Sequence, residues 1–272
     1  MQDKLAHIAA RLRTRIVQLA HDNKASHVGG ALSIIDVLTV LYAEVLKYDA
    51  STPVWEERDR LFYSKGHACT AIYTVLEEFG FYGKKSLDTF TQNESLFTSH
   101  VNHKIPGVEL STGSLGHALS VATGVALAGV RKKKDWRVYA ILSDGELNEG
   151  SNWEAILFAP HHLLSNLTLI IDYNKIQSFG TTKEVLDLDL GAPLAQKLAD
   201  FGWDTVEIDG HDFEQIKHAF VTPSDSIKPR AIVAHTVKGK GVDFMEDKLA
   251  WHYKSPNAEE LANAISQLNN TK

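Results

Sequence analysis

The sequence is poor in cysteine: of 272 residues only Cys69 carries a thiol, which excludes an internal disulfide and a zinc site built from cysteines. It also lacks any apolar run near the roughly 18 residues needed to span a bilayer, so we expect no membrane partner. Basic residues are outnumbered, 28 Lys and Arg against 34 Asp and Glu, and a net charge of −6 disfavours nucleic acid as a partner. The simplest expectation is a cytoplasmic protein in a reducing compartment.

The sequence has no repeat, no low-complexity tract and no glycine- or serine-rich linker, which predicts one domain over residues 1–272. Near the N-terminus, apolar residues recur at spacings of three and four: Leu5, Ile8, Leu12, Ile16 and Leu19. This spacing predicts a helix that packs on a core, so we do not expect a cleavable leader there.

Short apolar, β-branched runs predict five buried strands: Leu61–Tyr63, Val138–Leu142, Leu167–Ile171, Thr205–Ile208 and Ala231–Ala234. Helices are predicted at Ala31–Leu46, Gly116–Lys134 and Trp153–Leu164, with a C-terminal helix that begins at Pro256 and has Glu259 and Glu260 in its first turn. The alternation predicts an α/β fold with three layers, in which a mainly parallel sheet is covered by helices on both faces.

Polar residues follow two of the predicted strands. Asp144 comes after Val138–Leu142, and Asn174, thirty positions later, comes after Leu167–Ile171. Neighbouring parallel strands end at the same edge of a sheet, so we expect these two side chains to lie close together. A carboxylate, an amide oxygen and a backbone carbonyl can hold magnesium together with phosphate oxygens. Alone, Ser-Asp-Gly is more typical of a turn with a capping aspartate, but the paired asparagine favours the metal site.

Histidines are frequent, thirteen in all, and four of them lie in segments predicted to be loops: His27 and His67, which are near glycines, and His100 and His252. A single histidine is more often a capping or surface residue. Zinc binding by His100 with His103, or by His161 with His162, is disfavoured because neither pair has the i, i+4 spacing of a helical zinc site and no cysteine supports it. Four imidazoles in such loops instead fit a pocket for a sugar, whose hydroxyls need hydrogen bonds and proton transfer near neutral pH.

The metal motif resembles that of thiamine-diphosphate enzymes, with Ser143 in place of the usual first glycine. Three further motifs resemble transketolase in order and spacing: Ser-x-His-x-Gly at 26–30, Ser-x-Gly-His at 64–67 and Pro-Gly-Val-Glu-x-Ser-Thr-Gly-Ser-Leu-Gly at 106–116. Together with the metal motif, the resemblance covers positions from roughly 10 to 255, which is nearly the whole chain. The resemblance implies the thiamin diphosphate-binding fold, with thiamine diphosphate and Mg²⁺ (or Ca²⁺ or Mn²⁺ in its place) as cofactors.

The resemblance also implies roles for individual residues. The metal would be bound by Asp144, Asn174 and the carbonyl of Ile176. Catalytic roles at the cofactor and substrate would fall to His27, His67 and His100. The cofactor itself would be bound by His67, Gly113, Leu115, Gly116, Asp144, Gly145, Glu146, Asn174 and His252.

A complete transketolase has a second domain, which binds the pyrimidine ring and carries a catalytic glutamate. The sequence resembles the N-terminal subunit of a split transketolase, which implies ketol transfer between a ketose phosphate and an aldose phosphate. It also implies a two-plus-two assembly with a separate C-terminal subunit. Two alternatives stay open at this point. One is half of a deoxyxylulose-phosphate synthase or a 2-oxo-acid dehydrogenase, and the other is a non-catalytic regulatory module.

Overall fold

A computed structural model describes residues 2–222 and 227–270 of the chain. Within these ranges the strands are β1 (Arg60–Tyr63), β2 (Val138–Ser143), β3 (Leu167–Tyr173), β4 (Asp204–Asp209) and β5 (Arg230–His235). They form one sheet in the order β1-β2-β3-β5-β4, and every neighbouring pair is parallel. All five predicted strands are confirmed.

The helices lie mostly between these strands. They are α1 (Gln2–Asp22), α2 (Val28–Ser33), α3 (Ile35–Val40), α4 (Cys69–Glu78), α5 (Ala118–Arg131), α6 (Gly150–His161), α7 (Thr182–Val185), α8 (Leu194–Asp200), α9 (Phe213–Val221) and α10 (Ala258–Asn270). No helix in the described ranges combines the length and the apolar character needed to cross a bilayer.

Alternate residues of the central strands face two separate hydrophobic cores. On β2, Tyr139 and Ile141 pack in a core with helices that include α1, α3, α4, α9 and α10. Ala140 and Leu142 point to the other side, where they pack in a core with α5, α6 and α8. The predicted three-layer α/β fold is therefore confirmed. Burial on both faces also explains why the strands are continuous apolar runs in the sequence.

The predicted continuous helix Ala31–Leu46 is wrong. The chain forms α2 and then α3, separated by Ile34 (φ −92°, ψ −2°), and the last turn is a π-helix at Leu41–Val45. The carbonyl of Gly30, which an unbroken helix would offer to the amide of Ile34, accepts hydrogen bonds from Ser33 Oγ (3.0 Å) and Lys65 Nζ (2.6 Å). The helix therefore breaks where its backbone binds a buried lysine, a long-range contact that periodicity does not encode.

The predicted start of the C-terminal helix at Pro256 is also wrong. Helix α10 begins at Ala258, because Asn257 caps it: Asn257 Oδ1 accepts the amide of Glu260, and Glu260 Oε2 accepts the amide of Asn257. This reciprocal capping satisfies two backbone donors at the start of the helix. Glu259 and Glu260 do lie in the first turn, as predicted.

Parallel pairing brings the polar strand ends to one edge of the sheet. Ser143 at the end of β2 is in register with Asp172 of β3, and Tyr173 of β3 is in register with His235 at the end of β5. The loops after β1, β2, β3 and β5 therefore meet above this edge, which is where ligands bind in α/β sheets.

Candidate active site

A cleft of about 440 Å³ lies above the carboxyl ends of the strands. Its lining residues come from the loops after β1, β2, β3 and β5, from the loop before α5, from the start of α2 and from the turn at 249–252. They include His27, Lys65, His67, Asp144, Asn174, Ile176, Gln177, Lys238 and His252. Segments that are remote in the sequence thus converge on one space.

The three predicted metal ligands, Asp144, Asn174 and Ile176, all line this cleft. Asp144 Oδ1 accepts the amide of Gly145 (2.7 Å) and Oδ2 accepts the amide of Lys175 (2.6 Å). Asn174 Oδ1 accepts the amide of Ile176 (3.1 Å). These backbone contacts fix the orientation of both side chains.

Burial, together with the nearby carboxylate of Asp172, raises the pKa of Asp144 to about 6, although the backbone amides of Gly145 and Lys175 act in the opposite direction. A nearby cation stabilises the charged form of a buried carboxylate whose pKa is raised in this way. Its companions are an amide oxygen and a carbonyl oxygen, the hard donors that Mg²⁺ and Ca²⁺ prefer. No group of three or more His, Cys, Asp or Glu in the described ranges is arranged to hold a metal, so a cation here would depend on one carboxylate and neutral oxygens.

A buried ion pair lies beneath the predicted metal ligands. Lys65 is 1% exposed in its side chain, Asp172 is 0% exposed, and the two are in direct contact. Asp172 also accepts hydrogen bonds from Ser33 Oγ (2.6 Å) and from Thr236 Oγ1. Burial alone would raise the pKa of Asp172, but Lys65 and the hydroxyl donors outweigh it and lower that pKa. The pair ties the ends of β1 and β3 to α2 and to the loop after β5.

A second buried lysine, Lys238, points into the cleft from the loop after β5. Its ammonium donates to the carbonyl of Ile176 (2.8 Å) and to His252 Nδ1 (2.9 Å). Burial lowers the pKa of Lys238 to about 8; Asp144 acts to raise it and Lys65 to lower it further. The carbonyl of Ile176 has a second lone pair, so it can accept from Lys238 and still face a cation.

Three of the four predicted histidines, His27, His67 and His252, meet in the cleft. Ring centroids are 5.3 Å apart for His27 and His67, 5.0 Å for His27 and His252, and 6.0 Å for His67 and His252. The fourth, His100, is exposed and lies outside the lining, with its ring 6.3 Å from that of His27.

The three clustered imidazoles are neutral at pH 7. Burial, with smaller contributions from His100 and Lys238, lowers the pKa of His27 to about 4. Burial and then Lys238 lower the pKa of His252 to about 3, and burial places that of His67 well below its ordinary value. His27 also has a left-handed backbone (φ 67°, ψ 19°), which is uncommon for a residue with a side chain, and its amide donates to the carbonyl of His252 (2.9 Å).

Of the other predicted cofactor residues, Gly113, Leu115 and Gly145 line the cleft. A side chain at Gly113 would meet the ring of His100 at 2.8 Å, so the loop can approach this ring only with glycine. Glu146 is buried beside the cleft, where Oε1 accepts the amide of Gly116 (2.9 Å) and the hydroxyl of Ser64. Gly116 and Glu146 thus bind each other outside the lining.

Lys65, Gln177 and Lys238 are among the residues of the cleft that were not predicted from the sequence. A usable signal existed for Lys238, because it lies four positions after a predicted strand and is followed by Gly239. Gly239 has a φ of +85°, and a side chain there would clash with the carbonyl of Met245 at 2.4 Å. Lys65 carried the same kind of signal, since Gly66 follows it just after the predicted strand Leu61–Tyr63, whereas Gln177 carried none.

The family model described as "Transketolase, thiamine diphosphate binding domain" matches residues 4–270. The chain is 38% identical to one of the subunits of apulose-4-phosphate transketolase from Phocaeicola vulgatus, over 94% of this chain and 90% of that protein. It is also 38% identical to the 6-deoxy-6-sulfo-D-fructose transketolase subunit SqwG of a Clostridium species, over 98% and 97%.

Solved structures with the same fold include transketolase from Leishmania mexicana, with a TM-score of 0.91 and 28% identity, over 97% of this chain and 41% of that one. Transketolase from Campylobacter jejuni has a TM-score of 0.88 and 30% identity, over 97% and 42%. The chain therefore spans about two-fifths of these solved transketolases, whereas it matches nearly the full length of the two relatives named as transketolase subunits.

Proposed function

The chain belongs to the transketolase family, and from this membership we propose that it binds the diphosphate and metal of thiamine diphosphate in a split transketolase. That enzyme transfers a two-carbon ketol group from a ketose phosphate to an aldose phosphate. The observation that carries the proposal is the convergence of Asp144, Asn174 and the carbonyl of Ile176 with three neutral histidines in one cleft. The relatives are named as transketolase subunits, so a deoxyxylulose-phosphate synthase, a 2-oxo-acid dehydrogenase and a non-catalytic module are not favoured.

In this proposal Asp144, Asn174 and the carbonyl of Ile176 hold a divalent cation, Mg²⁺ or Ca²⁺ or Mn²⁺ in its place. The ammonium of Lys238 adjoins the same carbonyl and supplies further positive charge for a diphosphate. Bound thiamine diphosphate supplies the nucleophilic carbon that carries the two-carbon unit, which no side chain of the protein can provide.

The histidines would handle the sugar hydroxyls. His252 Nδ1 accepts from the ammonium of Lys238, so the neutral ring of His252 carries its proton on Nε2 and can donate from there. His27 Nδ1 forms a hydrogen bond with Ser26 Oγ (2.8 Å), so Nε2 of His27 remains available for a substrate hydroxyl. The lowered pKa keeps each ring neutral, so each ring offers one donor nitrogen and one acceptor nitrogen for hydrogen bonds to the sugar hydroxyls. His100 extends this set at the rim.

We further propose that a separate subunit covers the cleft and supplies the pyrimidine-binding domain. Apolar side chains at the mouth of the cleft support this, because Phe179 is 83% exposed and Tyr253 is 59% exposed. The near-full-length match to proteins that are themselves named as transketolase subunits supports it as well. Two copies of each subunit would complete the assembly.

Calorimetric titration of thiamine diphosphate, with magnesium and with a chelator, tests the cofactor assignment. We expect Asp144→Ala to abolish the magnesium-dependent part of binding while the far-ultraviolet circular dichroism is unchanged, because the variant loses the only charged metal ligand of the set. Asp200→Ala, which removes a carboxylate at the end of α8, is the matched control and should bind like the wild type. Unchanged affinity in Asp144→Ala would overturn the metal assignment.

A further inference from the structure

The loop that carries Lys238 is held at three successive points as it leaves β5. The amide of Thr236 donates to the carbonyl of Tyr173 (3.3 Å), and the amide of Gly239 donates to the carbonyl of Gly29 (3.0 Å). Between them, the amide of Val237 donates to a side chain, His211 Nε2, at 2.8 Å. The residue next to Lys238 is therefore fixed by an imidazole that lies outside the lining of the cleft.

The protonation of His211 follows from its two contacts. A backbone amide can only donate, so Nε2 of His211 accepts and carries no proton. The proton is then on Nδ1, which donates to Asp36 Oδ2 at 2.7 Å. This single neutral form satisfies both hydrogen bonds at once.

The carboxylate of Asp36 is in turn fixed by Arg13 of α1. The guanidinium donates to both carboxylate oxygens, at 2.8 Å and 2.7 Å, and all three residues are largely shielded from solvent, with side chains 5% (Asp36), 8% (Arg13) and 12% (His211) exposed. A two-point contact of this kind sets the plane of the carboxylate. The plane of the carboxylate then sets the orientation of the imidazole of His211.

We propose that His211, oriented by Asp36 and Arg13, is a positioning residue that fixes the main chain at Val237 and thereby sets the place of the Lys238 ammonium. This inference rests on the proposed function, because Lys238 is taken to face the cofactor diphosphate. His211 contacts neither the cleft nor any predicted metal ligand, so it acts only through the loop.

Two substitutions separate the contacts of His211. In His211→Gln the longer side chain reaches about as far as Nε2, so its amide oxygen can still accept from Val237. In His211→Asn the amide nitrogen takes the place of Nδ1 and keeps the contact with Asp36, but nothing reaches Val237. We expect His211→Asn to bind thiamine diphosphate and inorganic pyrophosphate, each with magnesium, about tenfold more weakly than the wild type. His211→Gln should stay within about threefold.

Trp203→Phe is the control for a general loss of stability. The buried Trp203 donates to the carbonyl of Ile156 (2.8 Å) in the core on the other face of the sheet, so this variant should melt earlier without a change in pyrophosphate affinity. If Trp203→Phe weakens binding as much as His211→Asn does, destabilisation explains the loss and the positioning role is overturned.

A double variant tests whether His211 acts through Lys238. We expect Lys238→Met to weaken pyrophosphate binding. Adding His211→Asn to Lys238→Met should weaken binding less than twofold further, because the ammonium that His211 positions is already absent. Additive losses of affinity would overturn the proposal.

Failure of the wild type to bind either probe would refute the proposed function instead. Amide hydrogen exchange would still test the positioning role of His211. The Val237 amide should exchange faster in His211→Asn than in His211→Gln, and equal rates would overturn the role.

Discussion

Lys65→Met in the cofactor-free chain probes the ion pair beneath the cleft. Methionine fills a similar volume but leaves Asp172 as a fully buried carboxylate without its cation. Removing one partner of a buried pair costs about 3–5 kcal/mol of unfolding free energy. Ser33 and Thr236 still donate to Asp172, so we expect the lower part of this range, about 3 kcal/mol.

The double variant Lys65→Met with Asp172→Asn removes the charge that the single variant leaves unpaired. Urea unfolding should therefore show the double variant to be about 1–2 kcal/mol more stable than Lys65→Met alone, since the asparagine oxygen still accepts from one hydroxyl and its amide nitrogen can donate to the oxygen of the other. A double variant that is as unstable as Lys65→Met would refute the reasoning. The loss would then come from packing of the lysine side chain and not from charge.

Three further outcomes are expected. In the assembled enzyme, replacing His27 or His67 by alanine should lower the rate of ketol transfer by about a hundredfold to ten-thousandfold. Replacing His100, which lies at the rim, should lower this rate by a smaller factor. Near-normal turnover in the His27 and His67 variants would mean that these residues are not catalytic. Arg13 and His211 outweigh the effect of burial and lower the pKa of Asp36 to about 2. The ionised Asp36 therefore contributes about 2 kcal/mol to the free energy of unfolding above pH 4, and this contribution is lost as the pH falls towards 2. The difference in unfolding free energy between the wild type and Asp36→Asn should narrow over that interval, and a constant difference would contradict the assignment. The purified chain alone should be inactive and gain ketol transfer only with a pyrimidine-binding subunit, so turnover by the chain alone would contradict the split arrangement.

The strands, and the placement of Asp144 and Asn174 beside one cleft, were predictable from sequence because they follow from short local runs of residues. A strand buried on both faces is a short apolar run, and Asp144 and Asn174 lie just after two such runs. A shared pocket for His27, His67 and His252 was expected from their positions in loops and from the family motifs, since their spacing along the chain does not bring them together.

The remaining features depend on contacts between distant segments. Lys65 gives no local sign of burial, since its partner Asp172 is 107 positions away. The same network interrupts the helix at Ile34, where periodicity indicated a continuous one. His211 was not predicted at all, because its role depends on Asp36, which precedes it by 175 positions.

The strand order has a consequence for the synthesis of the chain. Strand β5 lies between β3 and β4, so β4 has no neighbour in the sheet until residues 230–235 have left the ribosome. Until then the nascent sheet has an open edge at β3, a feature that favours aggregation. The same late segment delivers Lys238, three positions after β5 ends. The segment that covers the edge at β3 therefore also brings Lys238 to the cleft, and we expect a nascent chain to gain cofactor affinity only after this edge is covered.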